Sequence, residues 1–275
     1  MKVFTVDLYN EFHLSRPENG RGYLTCYVRE PANGISRRPA MLVLPGGGYS
    51  SCSDREGEPI ATKFVGEGYQ AFVLDYSVSP VKFPVSFLEA SLSMAYIRGH
   101  AKELYLTGMV GGIGFSAGAH LLGLLSACYE DSPAELPVKK EVFRPDASVF
   151  SYPVVTGNPA YYHGDSVTAL MGENAELRAY FSIEDHVTAN SSPAYIWTTA
   201  TDAGVPAQNS LLLAQAYAQN KAPYELHVFA EGPHGLSLCT EETRSGVPEY
   251  VNERAAAWLS MAISWLKLRG FSLEE

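Results

Sequence analysis

Apolar residues in this chain fall into short runs cut off by Gly and Pro, and the stretches between those runs carry apolar positions at helical spacing. Short runs of this kind suit strands buried on both faces of a parallel sheet, and the longer stretches suit the helices that connect them. The pattern predicts strands at Lys2–Asp7, Tyr23–Arg29, Ala40–Leu44, Gln70–Asp75, Met109–Gly114, Ala147–Tyr152, Ile196–Thr201 and Glu225–Phe229. It predicts helices at Pro59–Glu67, Val85–Leu104, Ala117–Tyr129, Ala207–Asn220 and Glu249–Arg269. The first two strands alternate polar and apolar residues, as an antiparallel edge does. The fold class is therefore α/β: a mostly parallel central sheet of about eight strands with helices on both faces. The segment from Pro153 to Pro193 breaks the pattern with Gly, Asn, Tyr and Ser, and is expected to form a pocket wall or small cap inserted between core elements.

Composition narrows the function classes. A chain of 275 residues with 46% hydrophobic content suits one large α/β domain over residues 1–275. A net charge of −10 argues against nucleic acid or an anionic membrane as partner, because polyanions reward clustered Lys and Arg. The first residues lack a signal-peptide core and no apolar run is long enough to span a bilayer, so the expected location is the cytoplasm. Cys26, Cys52, Cys128 and Cys239 form no C-x-x-C pair and are expected to be free thiols, with no metal site.

The chemistry enters at Gly114-Phe115-Ser116-Ala117-Gly118, where a serine stands between two glycines, after a strand-like run and before a helix-like one. A serine on such a turn has a strained backbone and an exposed hydroxyl, the arrangement of a nucleophile elbow. Its base is expected to be His234, in the turn Glu231-Gly232-Pro233-His234-Gly235 after the last strand. His120 lies one helical turn beyond Ser116, a spacing that fits helix packing, and packing or solvation is likewise expected of His100 and His227. Asp202, opening a loop after the run Ile196–Thr201, is the expected acid, against the alternatives of a helix cap or an Asx turn. The order Ser, Asp, His is the one associated with this elbow. Pro45-Gly46-Gly47-Gly48-Tyr49 follows a strand, and the amides of Gly47 and Gly48 together with that of Ala117 are candidates for an oxyanion hole. The loop lacks the Lys-Ser/Thr ending of a P-loop. Tyr49, Tyr76, His163 and His186 are candidate pocket residues. Tyr152, Tyr161, Tyr162, Tyr180 and Trp197 add further aromatic surface, and of these five together with Tyr49 and Tyr76 one or two are expected in a pocket.

Through these motifs the chain resembles an α/β-hydrolase of the carboxylesterase kind, close to the bacterial acetylesterase and acetyl-xylan-esterase-like group. The resemblance runs over nearly the whole chain. It implies release of short acyl groups from alcohols, often sugar hydroxyls, without metal or organic cofactor, with Ser116 as nucleophile, His234 as base and Asp202 as acid. One departure is Pro45, which stands where many relatives have the first His of His-Gly-Gly-Gly, a change that bears on loop geometry more than on activity. Two other readings share the scaffold: an amide-directed relative such as an aryl formamidase or small peptidase, and a ligand-binding member that has lost catalysis. A homo-oligomer is compatible with the size, and no segment marks an interface.

Overall fold

The computed structural model describes the backbone of residues 1–275 and the side chains of all but positions 175 and 179. Eight strands, β1 (Lys2–Asp7), β2 (Tyr23–Val28), β3 (Arg38–Leu44), β4 (Gln70–Asp75), β5 (Leu106–Phe115), β6 (Ser148–Ser151), β7 (Ala194–Thr199) and β8 (Tyr224–Phe229), form one sheet in the order β1-β2-β4-β3-β5-β6-β7-β8. β1 runs antiparallel to β2 and β2 antiparallel to β4, every other neighbour is parallel, and a one-turn helix, α1 (Leu8–Glu11), joins β1 to the loop before β2. The alternation read in the first two strands thus marks the antiparallel edge.

The two-residue period of a strand divides the interior into two cores. On β3, Ala40, Leu42 and Leu44 face one of them, and Met41 and Val43 face the other. The first core is closed by α3 (Val85–Gly99), α4 (Ala117–Ala127) and α7 (Gln208–Gln219) through Phe87, Leu92, Leu121, Leu125 and Leu213. The second is closed by α2 (Glu58–Gly66) and α8 (Ala257–Leu268) through Ile60, Phe64, Trp258 and Leu266. Trp197 of β7 stacks on Trp258 at 5.1 Å between centroids, and its indole N–H donates to Ser151 Oγ at 2.8 Å.

Several boundaries differ from the pattern's prediction. α3 ends at Gly99 rather than Leu104, because the chain turns at His100 and Tyr105 takes a φ of 54°. α4 stops at Ala127, and Tyr129–Asp131 continue as a single 3₁₀ turn. α8 begins at Ala257 rather than Glu249: the polar stretch before it is fixed by Asn252, which accepts from Ala255 N–H and donates to Glu231 O. β7 ends at Thr199, which leaves Asp202 three residues out into the loop. The 153–193 segment holds two short helices, α5 (Gly164–Met171) and α6 (Ala175–Ala179), and a 3₁₀ turn at Ile183–His186. None is long enough for a periodic signal to stand out. The four cysteines are free thiols, with Cys26, Cys128 and Cys239 buried and Cys52 half-buried. No helix among the described residues is long and apolar enough to cross a membrane.

Candidate active site

Parallel pairing brings the carboxyl ends of β3, β5, β6, β7 and β8 to one edge, with Leu44 beside Gly114, Phe115 beside Ser151 and Thr199 beside Phe229. Loops leaving those ends meet there, the usual place for ligands on open α/β sheets.

Ser116 makes the turn from β5 into α4 with φ 51° and ψ −116°, a left-handed strain for a residue with a side chain. Its backbone is held on both sides: Ser116 N–H donates to Ser151 O at 3.0 Å, and Ser116 O accepts from Val154 N–H at 3.1 Å. The flanking glycines are required by close packing. A Cβ on Gly114 would lie 2.4 Å from Gly118 O, and one on Gly118 would lie 2.1 Å from Leu44 O.

The side-chain chain predicted from sequence is assembled. Ser116 Oγ lies 2.8 Å from His234 Nε2, and His234 Nδ1 lies 2.7 Å from Asp202 Oδ2. The other oxygen, Asp202 Oδ1, accepts from Gly204 N–H at 2.9 Å and Val205 N–H at 2.8 Å, and the Asp202 side chain is fully buried. An acceptor-only carboxylate fixes the ring tautomer: Nδ1 carries the proton and donates to Asp202, so Nε2 is free to accept from the Ser116 hydroxyl. The Asx turn weighed as an alternative for Asp202 is present, but on the oxygen that does not face His234. Gly204 lets the two loops approach, since a Cβ there would lie 2.9 Å from His234 Cβ. Tyr152, buried at the end of β6, sets its ring edge-on to His234 at 5.1 Å.

The glycine loop after β3 faces the serine, and a Cβ on Gly46 would lie 3.1 Å from Ser116 Cβ. Gly47 (φ 127°) and Gly48 (φ 62°) take left-handed angles, and Ser50 and Ser51 N–H both donate to Gly47 O. Among the described residues, the N–H groups of Gly47, Gly48 and Ala117 take no protein acceptor, whereas Gly46 N–H donates to Glu56 Oε2 at 2.8 Å. Three free amides beside a serine hydroxyl can hold a developing negative oxygen, each such donor being worth on the order of 3 kcal/mol in a transition state.

The four expected pocket residues divide. His163 is at the site: its ring approaches Gly48 and interacts electrostatically with His234 and Asp202. His163 Nδ1 accepts from Ser166 N–H at the start of α5, so the proton lies on Nε2, which has no protein partner among the described residues. Burial, and then the nearby His234, lower its pKa from the ordinary value. The other three are corrected. Tyr49 and Tyr76 are interior struts, only 1% and 0% exposed: Tyr49 O–H donates to His120 Nδ1 at 2.8 Å, and Tyr76 O–H donates to Pro45 O at 2.6 Å. An aromatic ring with one hydroxyl at a loop–sheet junction satisfies both ends by burying the ring and bonding an interior acceptor. His186 packs against the Tyr180 ring at 4.4 Å with Nε2 on Tyr180 O, within its own segment. His120 packs as expected: its Nε2–H donates to Phe181 O at 2.8 Å, leaving Nδ1 to accept from Tyr49. Tyr152 and Trp197 are also interior, while Tyr161 and Tyr162, beside His163, are 37% and 39% exposed. A cavity of about 600 Å³ behind Pro45, lined by Arg21, Cys52, Asp54, Glu58 and Asp75 among others, contains none of Ser116, Asp202 and His234.

Sequence reasoning missed Glu56 and Arg55, which brace these loops. Glu56 is 3% exposed and carries Gly46 N–H on one oxygen and Tyr152 O–H on the other. Their position seven and eight residues past Gly48, in polar sequence, looks like a solvated turn.

Comparison with known proteins sets this geometry in context. The BD-FAE family model matches residues 27–217. An endo-1,4-beta-xylanase B from Butyrivibrio fibrisolvens is 40% identical over 220 residues, covering 76% of this chain and 34% of that protein. An acetylxylan esterase from Xylanibacter ruminicola is 26% identical over 238 residues, covering 84% of this chain and 47% of that protein. The chain therefore spans less than half the length of either curated relative. Among solved structures, an acetyl ester-xyloside bifunctional hydrolase from Caldicellulosiruptor lactoaceticus superposes with a TM-score of 0.83 at 31% identity, covering 98% of this chain and 97% of that one. A carboxylesterase from Lactobacillus plantarum gives 0.82 at 27% identity, with full coverage of both chains.

Proposed function

Because the chain belongs to the BD-FAE family and has the α/β-hydrolase fold, we propose that it hydrolyses short-chain carboxylic esters, with acetyl groups on sugars or xylo-oligosaccharides as the substrate class. The observation that carries this reading is the hydrogen-bonded series Asp202–His234–Ser116 beside three amides with no protein acceptor. His234 takes the Ser116 proton as Oγ attacks the ester carbonyl, and the oxygen that becomes negative is held by the N–H groups of Gly47, Gly48 and Ala117. The same imidazole then protonates the departing alcohol, which leaves an acyl-enzyme on Ser116. Water, deprotonated by His234, attacks that ester, and the released carboxylic acid restores the hydroxyl. Asp202 keeps the ring tautomer and stabilises the imidazolium in both halves. The chemistry is complete with side chains and backbone alone.

The glycine loop packs against Ser116, where a Cβ on Gly46 would lie 3.1 Å from Ser116 Cβ. On the alcohol side, the exposed rings of Tyr161 and Tyr162 offer faces suited to sugar stacking, and the free Nε2–H of His163 offers a donor to a sugar oxygen. The names of the acetylxylan esterase and the acetyl ester-xyloside hydrolase support the acetyl and xyloside assignment.

The test is hydrolysis of acetylated xylo-oligosaccharide, with formylated aryl amine as the amide comparison, for the wild type and Ser116→Ala. The expected outcome is turnover of the acetyl ester in preference to the amide, a loss of about 10⁴-fold or more in the folded variant, and one fluorophosphonate adduct on the wild type alone. A folded Ser116→Ala protein that hydrolyses near normally overturns the serine mechanism.

A further inference from the structure

Glu56 is a buried carboxyl group with no salt-bridge partner among the described residues, in a turn that the serine mechanism does not use. Burying such a group costs several kcal/mol unless its oxygens are hydrogen-bonded. Here both are, and their partners belong to the two halves of the site. Oε2 accepts from Gly46 N–H at 2.8 Å, the residue before the two oxyanion glycines. Oε1 accepts from Tyr152 O–H at 2.5 Å. That phenol in turn accepts from Ser237 N–H at 2.9 Å, and its ring packs edge-on to His234. Nothing larger than glycine fits at position 46, where a Cβ would lie 2.7 Å from Glu56 Oε2 and 2.8 Å from Phe115 O.

The preceding residue makes the same connection by another route. Arg55 Nη2 donates to Gly235 O at 2.8 Å, one residue past His234, and Arg55 O accepts from Ser237 Oγ–H at 2.6 Å. Tyr250 lies under the guanidinium at 4.1 Å. Two adjacent residues therefore tie the loop that would hold the oxyanion to the loop that carries the base.

Resting on the serine-hydrolase reading above, we propose that Glu56 is a positioning residue whose carboxylate sets the Gly46–Gly48 amides and, through Tyr152, the His234 ring in one fixed relation. Misplacement of reacting groups by about an ångström costs on the order of 10²-fold in rate. Glu56 touches neither substrate nor reacting atoms, so its removal should act on the transition state and leave ground-state binding alone.

The experiment compares wild type, Glu56→Ala, Glu56→Gln and Tyr152→Phe on p-nitrophenyl acetate, with rates divided by active sites counted by fluorophosphonate labelling. Glu56→Ala is expected to lower kcat per labelled site about 10²-fold with KM nearly unchanged, and to weaken a trifluoromethyl ketone inhibitor in parallel. Glu56→Gln keeps a carbonyl for Gly46 but loses the acceptor for Tyr152, so it and Tyr152→Phe are each expected to lower kcat about tenfold. Wild-type kcat per site in Glu56→Ala, or a raised KM at unchanged kcat, overturns the proposal. Should the alanine variant not fold, wild-type kcat in both milder variants overturns it equally. A wild type that neither labels nor hydrolyses the ester instead removes the serine reading, and this inference with it.

Discussion

At the scale of single residues, the site depends on atoms that are absent as much as on those present. Gly204 has no side chain to chemistry's benefit: an added methyl would stand 2.9 Å from His234 Cβ, closer than real Cβ contacts come, and 3.0 Å from its Cγ, so one of the two residues must move. Gly204→Ala is expected to push the ring off its line to Ser116 and lower kcat by about 10- to 10²-fold in a folded protein, measured on a small acetate ester with circular dichroism as control. An unchanged kcat would mean that the Asp202 loop shifts as a unit. Ser116, Asp202 and His234 could be brought together from sequence because each stands in a turn or loop that follows a strand, in the chain order associated with the Gly-x-Ser-x-Gly elbow. Tyr49 and Tyr76 were misread for the opposite reason. Composition makes a tyrosine beside an active loop look like a pocket wall, and only packing shows that the ring faces inward. Glu56 gave no signal, since a carboxylate bonded to one amide and one phenol distant in sequence reads like any surface Glu.

At the scale of elements, the crossing of α4 over the end of β3 is set by contact of backbone on backbone. Gly118→Ala would bring a methyl within 2.1 Å of Leu44 O and 2.3 Å of Pro45 O, neither of which can rotate away. The expected cost is about 3 kcal/mol or more in urea unfolding, at the upper end for overpacking, because the helix must lift from the sheet. Gly66 makes the contrast. It closes α2 with nothing within 4 Å of a Cβ, so Gly66→Ala is expected to stabilise by about 0.5–1 kcal/mol through helix propensity and unfolded-chain entropy. The same unfolding experiment reads both, and equal effects would refute the packing argument. β3, β4, β6 and β7 were legible because burial on both faces writes a short apolar run, whereas the edge strands β1 and β2 were read from their alternation. The start of α8 was not, because residues 249–254 are polar and shaped by hydrogen bonds from Asn252. Nor were α5 and α6, whose few turns lie inside a segment organised by tertiary contacts.

At the scale of the whole molecule, global stability is linked to pH through His120, which joins α4, the loop at Tyr49 and the backbone at Phe181. Complete burial lowers its pKa from 6.5 to about 4, outweighing the opposing hydrogen bond to Phe181 O. The unfolded chain therefore binds this proton first as pH falls. Stability from the neutral ring is fully present above 6.5, declines as pH falls from 6.5 toward 4, and the loss levels off below that. Its full size is about 3 kcal/mol. Urea midpoints at pH 7 and pH 4.5 are expected to differ more for the wild type than for His120→Gln, and identical slopes would show that His120 carries none of the linkage. The distribution of the site along the chain has a consequence for how competence arises. Ser116 and His234 lie 118 positions apart, and the glycine loop packed against Ser116 follows β3. Pairings so distant in sequence carry the loop-closure entropy of the intervening chain, which packing of the elements between them must offset. A chain in which that pairing is not made leaves Ser116 without its imidazole partner, so under the proposed mechanism reactivity requires the sheet from β3 to β8 to be in place.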